Sequence, residues 1–113
     1  MEKFLLLIRE DIETLRSAAE RDRRGREMIK WAETLGESGN FAGGEPLTTT
    51  GRYVSKDAVL SDGPFIEAKE CISGYISLKA ENLEQAVSIS QTCPYVLNGT
   101  MILEVRPVLV NNE

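Results

Sequence analysis

The chain predicts an α+β domain of the ferredoxin-like βαββαβ type with a short β-hairpin inserted, and three observations lead there. Alternating apolar residues mark strands at 3–9, 71–79 and 100–108, and a glycine-rich extended stretch spans 40–47. Helical periodicity marks two segments, one after the first strand and one before the last. The resulting order, with the hairpin set aside, is that of four strands with two helices on one face.

The first strand, Lys3–Arg9, sets Phe4, Leu6 and Ile8 on one face and Leu5 and Leu7 on the other. Both faces are apolar, so both need cover. A helical stretch runs from Asp11 to about Ser38, with Met28, Trp31, Ala32 and Leu35 repeating as an apolar stripe. Gly25 weakens its interior by about 1 kcal/mol, and the poorer pattern before it predicts a break between about Ala18 and Gly25. Gly36 and Gly39 are both candidates for its stop.

Asn40–Leu47 contains Gly43-Gly44-Glu45-Pro46, an extended segment that bends or lies against another backbone. Arg52–Ser55 and Ala58–Ser61 flank Lys56-Asp57 as a hairpin. The strand from Cys71 to Lys79 puts Ile72, Gly74, Ile76 and Leu78 on one side and Cys71, Ser73, Tyr75 and Ser77 on the other. Asn82 is an N-cap with Gln85 three residues on. Leu83, Ala86, Val87 and Ser90 form the inner stripe of the second helix, which ends before Pro94. In Thr100–Val108, Met101, Leu103 and Val105 alternate with Ile102, Glu104 and Arg106.

Helices on one face leave Leu5, Leu7 and Ile102 open on the other. An apolar sheet face of that size calls for a partner, and a homodimer with facing sheets is the economical solution. Tyr75, Ser73, Glu104 and Arg106 would then border a hollow between or beside the sheets.

Composition narrows the function. The 113 residues suit one domain, 1–113, and carry 13 basic against 18 acidic groups, a net charge of −5. That balance argues against a nucleic-acid surface. The stretch from Arg9 to Lys30 has seven basic and six acidic residues, so it reads as a mixed, solvated helix face. No run of about eighteen apolar residues predicts a membrane span, and Phe4–Ile8 is too short for a signal-peptide core. Cys71 and Cys93 read as reduced, buried fillers of a cytoplasmic protein. The chain has no histidine. Ser-His-Asp and Cys-His schemes are therefore excluded, as are histidine-based zinc sites, and two cysteines make no four-thiolate site. No metal and no cofactor are expected. Any acid–base work falls to carboxylates, lysine, tyrosine or cysteine.

The most informative stretch is Asp62-Gly63-Pro64-Phe65, followed by Glu67, Lys69, Glu70 and Gly74-Tyr75. Asp62 cannot accept from an amide two residues on, because Pro64 has none. Its carboxylate must meet the Phe65 amide, a side chain, water or a ligand. Two readings stand: a rigid turn that docks Phe65, or one that also presents Asp62 to a ligand as a catalytic base. Glu67 and Lys69 are either a pocket rim or an exposed ion-pair patch. Arg106 either holds a ligand carboxylate bidentately or pairs internally with Glu104 or Glu70. Tyr75 is a pocket candidate. Trp31 is a further binding candidate or a packing residue. Gly43-Gly44 lacks the spacing and lysine of a phosphate loop.

The Asp62–Phe65 run and its charged tail, with Glu84, Ala86 and Glu104-Val105-Arg106-Pro107, resemble the DGPF group of YCII-related proteins. Gly39, Phe41 and Gly44-Glu45-Pro46-Leu47 match the middle of that family. The resemblance implies a dimeric α/β barrel, mostly bacterial members and, in many, an active-site pocket. It also implies a histidine on the first helix, three residues before an aromatic, paired with an aspartate. Trp31 is similar to that aromatic, and Met28 stands in the histidine-like place. Methionine transfers no proton, so the His–Asp scheme does not carry over. Two functions follow as expectations. One is a homodimer that binds a small organic acid, with metal-free lyase or isomerase chemistry using Asp62 as base and Arg106 as anchor. The other is a non-catalytic binding or assembly module.

Overall fold

The computed structural model describes residues 1–60 and 70–110. The expectations on Asp62, Phe65, Glu67 and Lys69 lie outside the described residues. Strand β1 (Glu2–Asp11) leads through a 3-10 turn (Thr14–Arg16) to helix α1 (Ala18–Glu37) and strand β2 (Phe41–Pro46). A hairpin of β3 (Tyr53–Val54) and β4 (Val59–Leu60) follows, then β5 (Glu70–Ala80), α2 (Leu83–Ser90), α3 (Pro94–Leu97) and β6 (Met101–Pro107). The main sheet is four-stranded and antiparallel, in the order β2-β5-β1-β6. This is a mixed α+β domain with an open sheet, and its connectivity is compatible with the ferredoxin-like expectation.

Helix α1 differs from its expected start. It begins at Ala18 and runs unbroken through Gly25. Ser17 is the reason: its hydroxyl accepts from the Glu20 amide at 3.2 Å, satisfying an orphan donor of the first turn. Leu15, in the separate 3-10 turn, is buried by itself. The helix stops at Gly39, whose φ of 80° suits a residue without a Cβ. The Asn40 amide then closes back on the Leu35 carbonyl at 2.8 Å.

Phe4, Leu6 and Ile8 of β1 pack with Ile76 and Leu78 of β5, Met101 of β6, Trp31 and Leu35 of α1, and Ala86 of α2 in one core. Burying a side chain the size of Phe4 or Leu6 contributes about 1.5–3 kcal/mol. The same parity continues to Glu10, which is buried as well. On the opposite face Leu5 and Leu7 are half-buried and Ile72 and Ile102 are exposed, as anticipated for Leu5, Leu7 and Ile102.

Two side assignments change. Ile8 pairs with Gly74 but Arg9 pairs with Ile72, so Ser73 is an extra residue, a β-bulge. The bulge reverses the parity of the start of β5: Cys71 turns to the buried face and Ile72 to the open one, opposite to the alternation read from 71–79. Ser73 follows Cys71, donating its hydroxyl to Glu10 instead of joining Tyr75. On α2 the Asn82 cap holds, accepting from the Gln85 amide at 2.8 Å. Its inner stripe, however, is Ala86, Ile89 and Ser90, while Leu83 and Val87 are exposed. The turn α3 was not anticipated; Pro94 opens it at a position where a missing amide proton costs nothing.

Gly44 shows why β2 is glycine-rich. A Cβ there would lie 2.5 Å from the Tyr75 carbonyl oxygen and 3.0 Å from the Ile76 Cα, both backbone atoms that cannot step aside. Gly25 is the opposite case, with nothing within 4 Å of its missing Cβ. Gly44→Ala should therefore destabilise the fold by about 1–3 kcal/mol through overpacking. Gly25→Ala should stabilise it by up to about 1 kcal/mol. Urea midpoints of the two variants measure both signs.

Candidate functional site

A cleft of about 920 Å³ opens on the helix side of the sheet, between α1 and β2 with the Leu47–Thr49 stretch that follows. Its walls are mainly apolar, including Ile8, Met28, Ile29, Phe41, Pro46 and Met101. Leu47 is held against β5 by its amide, which donates to the Ser73 carbonyl at 2.8 Å. Polar residues border it too: Glu10, Ser73, Arg24 and Arg21 around the buried charges, and Glu33, Glu45, Thr48 and Thr49 along α1, β2 and the stretch that follows.

Glu10 and Arg24 are each only 6% exposed. The Arg24 guanidinium donates from Nη1 to Glu10 Oε1 at 2.8 Å, from Nη2 to Thr100 Oγ1 at 2.9 Å and from Nε to Glu20 Oε1 at 3.0 Å. Its planar face lies over the Tyr95 ring, 4.3 Å from the centroid. The second oxygen of Glu10 accepts from Ser73. Both charges are thus removed from water with their strongest bonding directions filled, the condition under which a buried ion pair is tolerated. An arginine carries five N–H donors. Three are spent here, so two remain uncommitted among the described residues, on a guanidinium that borders the cleft. Arg21 stands at the mouth, donating to the Leu15 carbonyl and making no ion pair among the described residues.

The neighbouring acid is held in its charged form. Arg23 first, then Arg24, keep the Glu20 carboxyl below its ordinary range. Tyr95 is buried against the pair, and its hydroxyl meets no partner at hydrogen-bonding geometry among the described residues. Burial, then the nearby Glu27 carboxylate, pushes that phenol up.

Of the anticipated site residues, Tyr75, Arg106 and Trp31 are described, and they lie away from the cleft. Tyr75 and Arg106 sit on the open face of the sheet, on strands either side of β1, where Tyr75 is opposite Leu7 and Arg106 opposite Leu5. Tyr75 donates to Glu45 Oε2 at 3.3 Å. Arg106 pairs with Glu104 at 3.2 Å, the internal pairing that the sequence left open. Arg9 adds a second contact to Glu104 at 2.8 Å. Arg9 first, then Arg106, hold the Glu104 carboxyl below its usual range. Trp31 is on the other side of the sheet, in the core, donating from Nε1 to Thr92 Oγ1 at 2.9 Å. Tyr75 and Arg106 therefore share a face, and Trp31 does not join them. None of the three borders the cleft.

Sequence reasoning missed the Glu10–Arg24 pair. Both residues were counted among interleaved, solvated charges, and Arg24 is the buried exception on that helix. A signal was present. Glu10 continues the buried parity of Phe4, Leu6 and Ile8, and Arg24 stands four residues before Met28 and seven before Trp31. One charge on each of two inward-facing stripes is the mark of a pair between them. Met28, in the histidine-like place of the resemblance, does reach the cleft wall.

Among the described residues, no group of three His, Cys, Asp or Glu side chains could hold a metal ion. None of the described helices is long and apolar enough to cross a membrane. The family profile described as YCII-related domain matches residues 3–109, nearly the whole chain, and the chain belongs to that family. No curated protein matches it.

Removing one member of the buried pair strands the other. Arg24→Met should cost about 3–5 kcal/mol. Adding Glu10→Gln to it should return a large part of that loss, because no unpaired charge then remains. A double-mutant cycle in urea measures the coupling, and two additive single losses would show that the pair does not act as one unit.

Proposed function

We propose that this YCII-related protein is a homodimeric, cytoplasmic small-molecule-binding protein whose ligand is an organic acid with an apolar body. The single observation behind this reading is the cleft of about 920 Å³, with its mainly apolar walls and a buried arginine on its border. Sites for small molecules have this composition: a concave apolar surface with a few placed polar groups that set orientation. The acid end would meet the uncommitted donors of Arg24, with Arg21 at the mouth. The apolar end would lie along Ile8, Met28 and Phe41. Arg24 supplies direction more than net charge, because Glu10 and Glu20 already balance it.

Dimerisation through the open sheet face completes the reading, as the dimeric α/β barrel of the family implies. Leu5, Leu7, Ile72 and Ile102 give that face its apolar character, and a second copy is the cover that leaves no residue unmatched. In such a dimer Tyr75 and Arg106 would face the partner sheet. Metal-free acid–base turnover of the bound acid, of the lyase or isomerase type, extends the reading, with Asp62 as its base.

A panel of aryl and alkyl carboxylates tests the binding. Stabilisation of the native state should reach about 2.7 kcal/mol at a hundredfold excess over Kd, read as a rise in Tm. Arg21→Gln should shrink that rise while Arg106→Ala keeps it. A response lost only in Arg106→Ala would move the ligand to the sheet face and sink the cleft assignment. In the same panel, Asp62→Asn should leave binding intact and remove any turnover.

Light scattering tests the assembly. The wild type should have the mass of two chains at micromolar concentration. Leu7→Lys should shift it toward one chain, because the new ammonium would be buried in an apolar seam. A wild-type monomer would end the dimer reading.

A further inference from the structure

Three sulfur atoms converge behind the apolar wall of the cleft. Cys93 Sγ lies 3.6 Å from Met28 Sδ and 3.8 Å from Met101 Sδ. Met28, on α1, is far in the chain from Cys93, just before α3, and from Met101, at the start of β6. We propose that Cys93, Met28 and Met101 form a binding site for a monovalent soft metal ion, Cu(I).

Four observations support it. The first is spacing: three sulfurs each about 2.3 Å from a metal in a trigonal plane are about 4.0 Å apart, and the two separations measured from Cys93 fall within a few tenths of an ångström of that. The second is donor type. One thiolate and two thioethers are soft ligands that select Cu(I) over magnesium, calcium or manganese. A single S–H proton serves one thioether at a time, so a thiol hydrogen bond alone does not require both methionines. Third, the charge is right for the interior. Cys93 is 0% exposed; a thiolate with a monovalent ion is neutral there, whereas a divalent ion would leave an uncompensated charge. Fourth, a route exists: Met28 and Met101 both border the cleft, so an ion arriving through it meets the thioethers before the thiol.

Binding is a ligand exchange without redox change. Cys93 gives its thiol proton to solvent, its sulfur forms the bond to copper, and the two methionine sulfurs donate lone pairs. Burial pushes the free Cys93 thiol up, while the Val96 and Tyr95 amides favour the anion. Uptake should therefore release about one proton per copper and tighten as pH rises.

The test is an anaerobic Cu(I) titration of the full chain against a chromophoric chelator, with X-ray absorption of the loaded protein. The expected result is one equivalent bound by three sulfurs at about 2.3 Å. Cys93→Ala should weaken binding by more than about 100-fold, beyond what the loss of an outer-shell group costs. Met28→Leu and Met101→Leu nearly conserve volume and should fold; each should lower the sulfur count to two and weaken binding. Cys71→Ser should bind as the wild type does. Should Cys93→Ala fail to fold, the two methionine variants decide. No binding by the wild type, binding indifferent to Met28→Leu and Met101→Leu, or binding that moves with Cys71 would each overturn the site.

Discussion

The buried pair of Glu10 and Arg24 is the constraint on which the rest of the arrangement depends. Neither charge can be buried alone at tolerable cost, so the position of α1 along β1 is fixed wherever the two meet. Packing of Trp31 and Leu35, and the Trp31 hydrogen bond to Thr92, fix the same placement from the other end of the helix. Glu10 is held from the β5 side by Ser73 and Arg24 from the β6 side by Thr100. The pair thus joins three strands to the helix. It also sits at the border between core and cleft, so the same contacts that set the helix register shape the cleft beside it.

The bulge at Ser73 belongs to the same constraint. Without the extra residue, Ser73 would point to the open face and Glu10 would lose its second donor. With it, Ile72 goes outward to the open face and Cys71 inward. A one-residue insertion therefore serves both faces. The two faces differ in their electrostatics. The open-face cluster of Arg9, Glu104 and Arg106 is partly solvated and holds no charge that water could not serve. Pairs of that kind contribute about 0–1 kcal/mol. The Glu10–Arg24 pair has no such alternative.

Much of the fold was legible because periodicity reports burial. The strands at 3–9 and 100–108, the two main helices and the hairpin all follow from it. The Asn82 cap follows from local backbone chemistry, and of the two stop candidates, Gly36 and Gly39, the helix uses Gly39. What failed did so for identifiable reasons. The start of α1 was misplaced because Ser17 and Glu20, a capping pair, lie inside a charged run without apolar rhythm. The faces of Cys71 and Ile72 were exchanged because alternation assumes an unbroken ladder, and a serine bulge has no signature of its own. The candidate site was the least legible part. Charge counting treats every interleaved Arg and Glu alike, so it assigned Arg24 to solvent. Pairing Glu10 with Arg24 requires knowing which faces of β1 and α1 oppose each other. Tyr75 and Arg106 were rightly placed on one face, but strand parity does not say whether a face borders a hollow. The Asp62 segment lies outside the described residues.

The cleft itself has a sequence cause, which is the absence of side chains on two facing surfaces. Helix α1 carries two adjacent stripes. Arg24, Met28, Trp31 and Leu35 face the core, and Arg21, Arg24, Gly25, Met28, Ile29, Ala32, Glu33 and Gly36 border the cleft. Three of those eight cleft residues are glycine or alanine, and across from them β2 presents Gly44. Helix and strand stay a fixed distance apart because β2 is clamped to β5 by the close approach at Gly44, and the space between them is not filled. A helix selected only for stability would not keep Gly25 in its interior, where alanine is better by about 1 kcal/mol and meets no obstacle. Stability alone does not account for glycine at such a position, whereas an unfilled volume beside a buried ion pair does. The lower stability of α1 and the existence of the cleft are then one feature of the sequence, and the residues responsible are the small ones that a search for chemical groups passes over.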